Sequence, residues 1–230
     1  MTSRNRAVKT ITPTPTPTTF FLPADDLRAA FQCAGTDQGR YYLCGVLVEG
    51  ETLVALDGHQ MLTVRLPGGH HVGSECFTQG WYGPLTPGAT VVPERAAFIL
   101  SCDSADKAFR ARAGGKALWV YGDTTTGIMQ FVINDGTGGA MTRVGVLEFE
   151  VIDGTYPDWR RLVAKGESGA ASLCFNPVVL GKMVKAADVF CKGSGIRMTG
   201  GKSVSDPMRV EFAACDRLRG TLMPMKWMGA

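Results

Sequence analysis

One pattern restarts three times along this chain, and no single copy of it can bury its own apolar surface. In the first copy Phe20-Phe21-Leu22 is a short strand, and Pro23-Ala24-Asp25-Asp26 opens a helix with a proline and acids in its first turn. Leu27, Ala30, Phe31 and Ala34 fall on one face of that helix, leaving Arg28 and Gln32 outside it. Residues 40–49 and 52–66 then alternate as β-segments, the second broken at Asp57-Gly58, a strong hairpin signal. The second copy reads as a strand at 89–92, a short helix at 93–102 and β-segments at 117–121, 128–133 and 144–152. In the last of these Val144, Val146, Phe149 and Val151 follow the spacing of a half-buried strand. The third copy has a strand at 172–175 and a helix at 177–191. That helix carries Val179, Met183, Ala186, Ala187 and Phe190 on one face, with Lys182, Lys185 and Lys192 away from it. Strands at 196–198, 208–212 and 218–225 complete it. The fold class is therefore α+β, built from repeated βαβββ units that must pack side by side to cover their helix and sheet faces.

The segments outside the repeat are of two kinds. Residues 1–17 end in Thr-Pro-Thr-Pro-Thr-Pro and form a flexible Pro/Thr leader with no apolar face. Residues 67–88, rich in Gly, Pro and His, read as a loop whose length is unusual for a compact domain. The formal charge of +3 resides in the leader, so the body is neutral and any nucleic-acid affinity must come from charge gathered on one surface. Seven scattered cysteines without a C-x-x-C pair fit free thiols in a reducing cytoplasm. No apolar run approaches the roughly eighteen residues of a membrane span, and nothing at the start has the apolar stretch of a signal peptide.

Catalytic motifs are weak. The stretch 195–203 ends in Gly-Lys-Ser like a phosphate loop, but its spacing is one residue too long and no helix follows. His70, His71 and Cys76 lack a fourth metal partner at recognisable spacing. His59 beside Asp57 is explained by a hairpin turn with an exposed imidazole. The expectation is a non-enzymatic protein with no cofactor and no metal.

Five short stretches, in order, carry a resemblance. They are Arg40-Tyr41-Tyr42-Leu43-Cys44-Gly45-Val46, Val54-Ala55-Leu56-Asp57-Gly58-His59-Gln60-Met61, Asp153-Gly154-Thr155-Tyr156-Pro157-Asp158-Trp159-Arg160-Arg161, Phe175-Asn176, and Met223-Pro224-Met225-Lys226. Together they resemble the bacterial DNA polymerase III beta sliding clamp family. The resemblance implies a DNA-clamp fold, with helices lining the inside of a ring and sheets outside. It matches residues 18–165 to the family's middle domain, two βαβββ units, and residues 166–230 to the second half of its last domain, one unit.

What the family does is implied in the same way. Its peptide-binding groove matches Leu43, Gly58, His59, Gln60, Met61, Pro157, Arg161, Leu162, Asn176, Val179, Met223, Pro224, Met225, Lys226 and Trp227. Its DNA-facing positions match Arg40, Tyr41 and Tyr42, joined by the helix cations Arg28, Arg95, Lys182 and Lys185. The implied partners are double-stranded DNA bound without sequence preference, and a DNA polymerase, clamp loader or repair protein held by a short peptide motif. A cyclic homo-oligomer is expected, a tetramer if each chain has three units and a trimer if a fourth is hidden. The alternative is a clamp-derived adaptor that binds such peptides without encircling DNA. Several positions depart from the family: Gln60 stands in place of an arginine, Leu56 of a threonine, Val179 of an aromatic and Trp227 of the terminal leucine.

Overall fold

A computed structural model describes residues 19–67, 71–73, 97–101, 118–124, 126–134, 141–163, 174–190, 192–200, 206–213 and 215–225. Strand β1 (Thr19–Pro23) runs directly into helix α1 (Ala24–Gln32), with extended Pro23 at the junction. Strands β2 (Gly45–Glu49), β3 (Thr52–Leu56) and β4 (Gln60–Arg65) follow as an antiparallel meander. The β-segment expected from residue 40 starts late, because Gln38–Leu43 is a 3-10 turn. Asp37 causes this by accepting the Gly39 N–H and pairing with Arg40, a side-chain capture of the backbone that competes with strand pairing.

Further along the chain come β5 (His71–Gly73), β6 (Ala97–Ser101), β7 (Leu118–Asp123), β8 (Ile128–Asn134) and β9 (Met141–Glu148). Two expectations change here. The long loop holds a short strand, β5, which pairs with β1. The helix expected at 93–102 is replaced over 97–101 by β6, paired with β2. An apolar run this short has no period that separates a buried strand from a helix, and sheet pairing decides it. The leader, most of the long loop with His70 and Cys76, the strand expected at 89–92, and Arg95, Lys226 and Trp227 lie outside the described residues.

The last unit is helix α2 (Pro177–Phe190) with β10 (Ile196–Thr199), β11 (Met208–Phe212) and β12 (Leu218–Leu222). The strand expected at 172–175 is reduced to a single bridge between Cys174 and Met225. Asn176 caps α2 by accepting the Val178 N–H at 2.9 Å.

The units exchange strands. Strand β1 joins the second unit's strands in a five-stranded sheet of order β5-β1-β7-β8-β9, and β6 joins the first unit's. The third unit adds its strands through β12 and β4, giving a seven-stranded sheet of order β10-β11-β12-β4-β3-β2-β6. Side chains alternate between faces of a strand, so register partners share a face. One row crosses the whole inner half as Ala55, Leu62, Gly220, Val210 and Met198. Helices α1 and α2 lie side by side over this face, with Cys33 Sγ 4.0 Å from Met183 Sδ. Gly220 permits the approach: a Cβ there would sit 2.9 Å from Val210 Cβ and 3.2 Å from Met183 Sδ. The main core, including Leu27, Phe31, Val46, Leu62, Met183 and Leu222, fills the space between.

A second apolar cluster lies on the opposite face: Leu43, Leu47, Val54, Leu56, Met61, Ile99 and Tyr156. It is covered by the chain leaving β9. Tyr156 is fully buried and donates its hydroxyl to the Val54 carbonyl at 3.2 Å, while Trp159 Nε1 donates to Glu49 at 2.9 Å. Of the four residues expected on the buried side of this segment only Phe149, just past β9, is buried, and Val151 is 37% exposed. Val144 and Val146 face outward at 40% and 54% exposure on the sheet's edge.

One buried ion pair ties the third unit to the first. Arg217 donates both guanidinium arms to Asp26, one at 2.9 Å, and donates to the Arg65 carbonyl at 2.9 Å. Asp26 is 1% exposed, and its hydrogen bond holds the Arg217 pKa above its ordinary value. Replacing Arg217 by methionine strands that carboxylate, so urea denaturation of Arg217→Met should show a loss of about 3 kcal/mol. An unchanged midpoint would mean the pair does not hold the units together.

Candidate protein and DNA interface

The β3–β4 turn is the node of the candidate site. Asp57 Oδ1 accepts the N–H groups of His59 and Gln60 at 2.9 and 3.0 Å, and Oδ2 accepts Gln60 Nε2 at 2.9 Å and Lys182 Nζ at 2.8 Å. Gly58 sits in the left-handed region at φ 90°, where a Cβ would also run into the Arg40 guanidinium laid across the turn. Burial pushes the Asp57 carboxyl up, but the Lys182 ammonium and the two backbone donors outweigh it and hold the pKa below the ordinary value. The turn is thus built by one carboxylate that reaches both the groove residues and helix α2.

Two further segments border this turn. The Met223 N–H donates to the His59 carbonyl at 2.9 Å, and the Met225 N–H donates to the Cys174 carbonyl at 2.8 Å. The chain after β12 is thereby held between the turn and the start of α2. On the other side, Tyr156 and Trp159 pack on the cluster that contains Met61. Exposed apolar side chains lie on these segments and on the first turn of α2: Leu162 at 41%, Val163 at 46%, Val178 at 69%, Met223 at 41% and Met225 at 45%. Arg161 pairs with Asp158 at 3.1 Å, beside half-buried Pro157.

Not every expected groove position offers a free side chain. Leu43 and Met61 are buried in the second cluster and Val179 in the main core, so they support the site from beneath. Gly58, His59 and Asn176 are exposed, and Pro224 is half-buried. Gln60 is 2% exposed, and its Oε1 has no hydrogen-bond partner among the described residues. Residues that sequence reasoning did not assign to the site include Asp57, Tyr156, Trp159, Val163 and Val178. An aspartate opening a turn, able to accept N–H groups two and three residues on, was the available signal for Asp57.

The cations are distributed unevenly. Lys185 is exposed and Arg28 half-exposed, on the sides of α1 and α2 away from the sheet. Lys182 is only 25% exposed, with its charge engaged by Asp57. Arg40 pairs with Asp37 at 3.0 Å. Tyr41 is 50% exposed and meets Tyr42 edge to face at 5.8 Å. Asp25 and Asp188 are exposed on the same helices.

No protein-family model and no curated protein matches the sequence. Solved structures do. The chain superposes on the DNA polymerase sliding clamp from Pseudomonas aeruginosa with TM-score 0.55 and 16% identity, over 94% of this chain and 68% of that one. The Caulobacter crescentus beta sliding clamp gives 0.57 and 14% over 99% and 69%, and the Thermotoga maritima DNA polymerase III beta subunit 0.54 and 14% over 98% and 69%. The chain has the sliding-clamp fold. At these identities the likeness is one of architecture, and this clamp fold spans about 70% of the length of those chains. Among the described residues no helix is long and apolar enough to cross a membrane.

Because Asp57 organises the clamp-fold turn, Asp57→Asn should destabilise by about 2 kcal/mol at neutral pH. A depressed folded-state pKa gives stability that is full above the ordinary carboxylate range and lost as pH falls through the folded value. Denaturation curves of the two proteins should therefore converge in acid. A difference undiminished at low pH would contradict the role of the Asp57 charge.

Proposed function

We propose that this protein is a sliding-clamp-like processivity factor. Copies close into a homo-oligomeric ring around duplex DNA, and the groove beside the β3–β4 turn tethers a polymerase, clamp loader or repair protein by a short apolar motif. The observation that carries the reading is a set of exposed apolar side chains in a sliding-clamp fold: Met223 and Met225 on the chain hydrogen-bonded to the turn, Val178 on the helix whose Lys182 the turn binds, and Leu162 and Val163 after the Trp159 that packs on the Met61 cluster. Apolar anchors at the centre of an interface carry most of its binding energy. The cytoplasm, where duplex DNA and such partners meet, is the compartment this function implies.

The sheet edges support ring closure. Among the described residues β5 and β9 end one sheet and β10 and β6 the other, and β9 presents Val144 and Val146 outward. An exposed apolar edge is a template for pairing, and head-to-tail association into a closed cycle removes it. Four copies are needed if each contributes three βαβββ units, three copies if each contributes four. Duplex DNA would be held loosely through Arg28, Lys185 and the loop of Arg40, Tyr41 and Tyr42, with phosphate contacts and no base readout.

The adaptor reading has one observation of its own. On the described helix faces Arg28 and Lys185 are balanced by Asp25 and Asp188, and Lys182 is spent on Asp57. That face needs cations from neighbouring subunits to become basic.

Met61 is core, so the groove is tested at its exposed rim. Met223→Ala and Leu162→Ala should each keep the fold and weaken a fluorescent clamp-motif peptide by about tenfold or more. Light scattering should give a mass of three or four chains, and the oligomer should stay on circular plasmid DNA and slide off linear DNA. A monomer that still binds the peptide would establish the adaptor instead, and unchanged peptide affinity in both variants would exclude the groove.

A further inference from the structure

The outer face of the seven-stranded sheet changes character along its length. One register row reads Ile99, Leu47, Val54, Thr63, Arg219, Glu211, Arg197, from one edge to the other. The row beside it reads Leu56, Met61, Thr221, Arg209, Thr199. The apolar end is roofed by Tyr156 and Trp159. The other end carries three guanidiniums around one carboxylate. Glu211 pairs with Arg197 and with Arg209, the latter at 2.8 Å, and Arg219 lies opposite it in register. Hydrogen bonding to Arg197, then the fields of all three arginines, holds the Glu211 carboxyl below its ordinary pKa. Arg197 remains 78% exposed and Arg209 39%, and exposed Arg65 follows Met61 and Thr63 on the same face of β4. One carboxylate cannot neutralise this group, so the patch is cationic in a body that is neutral as a whole.

We propose that this patch receives an acidic segment flanking the apolar motif of the groove's peptide partner, so that the protein selects motifs adjoined by aspartates or glutamates. This rests on the groove reading above and adds a specificity element to it. Continuity and charge argue for that occupant. Arg209 is two strands from Met61, about 10 Å, which an extended peptide spans in about three residues. The patch faces away from α1 and α2, the elements assigned to duplex DNA. Arginine forks suit carboxylates, and exposed pairs of this kind contribute mainly selectivity and a salt-dependent gain.

The test uses the full chain and three fluorescent peptides with one apolar motif, flanked by four Asp, four Ser or four Lys residues. At low ionic strength the Asp-flanked peptide should bind about tenfold more tightly than the Ser-flanked one, with the gain fading as salt is added. Arg197→Glu combined with Arg219→Glu should abolish the gain and leave the Ser-flanked affinity unchanged. Equal binding of the Asp- and Ser-flanked peptides would overturn this inference alone. Loss of the Ser-flanked peptide in the double variant would show that the patch is not a separate element. Competition by duplex DNA that disappears in the double variant would reassign the patch to phosphate. Failure of all three peptides to bind would reject the groove reading and this inference with it.

Discussion

The antiparallel pairing of β4 with β12, from Val64 opposite Leu218 to Gln60 opposite Leu222, is the contact on which the other features depend. It merges the first and third units into one sheet, which leaves a single inner face for α1 and α2 and a single outer face for the chain after β9. Through this pairing Leu218 and Leu222 of β12 join the same core as Leu62 and Val64 of β4. The same pairing carries the chain past the β3–β4 turn, so that Met223 hydrogen-bonds to His59.

Charge reinforces the junction where backbone pairing ends. Arg217 grips Asp26 at one end of the β4–β12 ladder, and Lys182 grips Asp57 at the other. Both partners are carboxylates largely removed from water, at 1% and 8% side-chain exposure, so each cation answers a desolvation cost that an unpaired acid would impose. The second pair also separates two surfaces. It draws a lysine away from the helix face where DNA would lie and sets it behind the turn where a peptide would lie. Helices on one side, apolar groove and arginine patch on the other, follow from one sheet with two differently used faces.

Much of this was legible in the amino-acid order. The helix of residues 24–32 and that of 177–190 were marked by apolar spacing and by proline at their starts, and Asp57-Gly58 marked its hairpin. The short apolar run at 97–101 was not legible as a strand, since its only distinguishing property is Ile99 lying against Leu47 of β2. Nor could the sequence show that β1 leaves its own unit to pair with β7, because exchange of strands changes partners without changing periodicity. At the candidate site the short motifs pointed to the turn, the segment 153–161 and the chain after β12, all of which converge. Which of their side chains are exposed depends on packing across units. Met61 and Val179 are buried by neighbours far away in sequence, while Val163 and Val178 are left open.

The central claim, that the junction of the first and third units is the partner-binding surface, is tested most directly by amide hydrogen exchange with and without a clamp-motif peptide. The account predicts slowed exchange at residues 57–62, 156–163, 174–180 and 218–225, with strands β7 to β9 unaffected. Protection confined to the five-stranded sheet, or no protection by a peptide shown to bind, would contradict it.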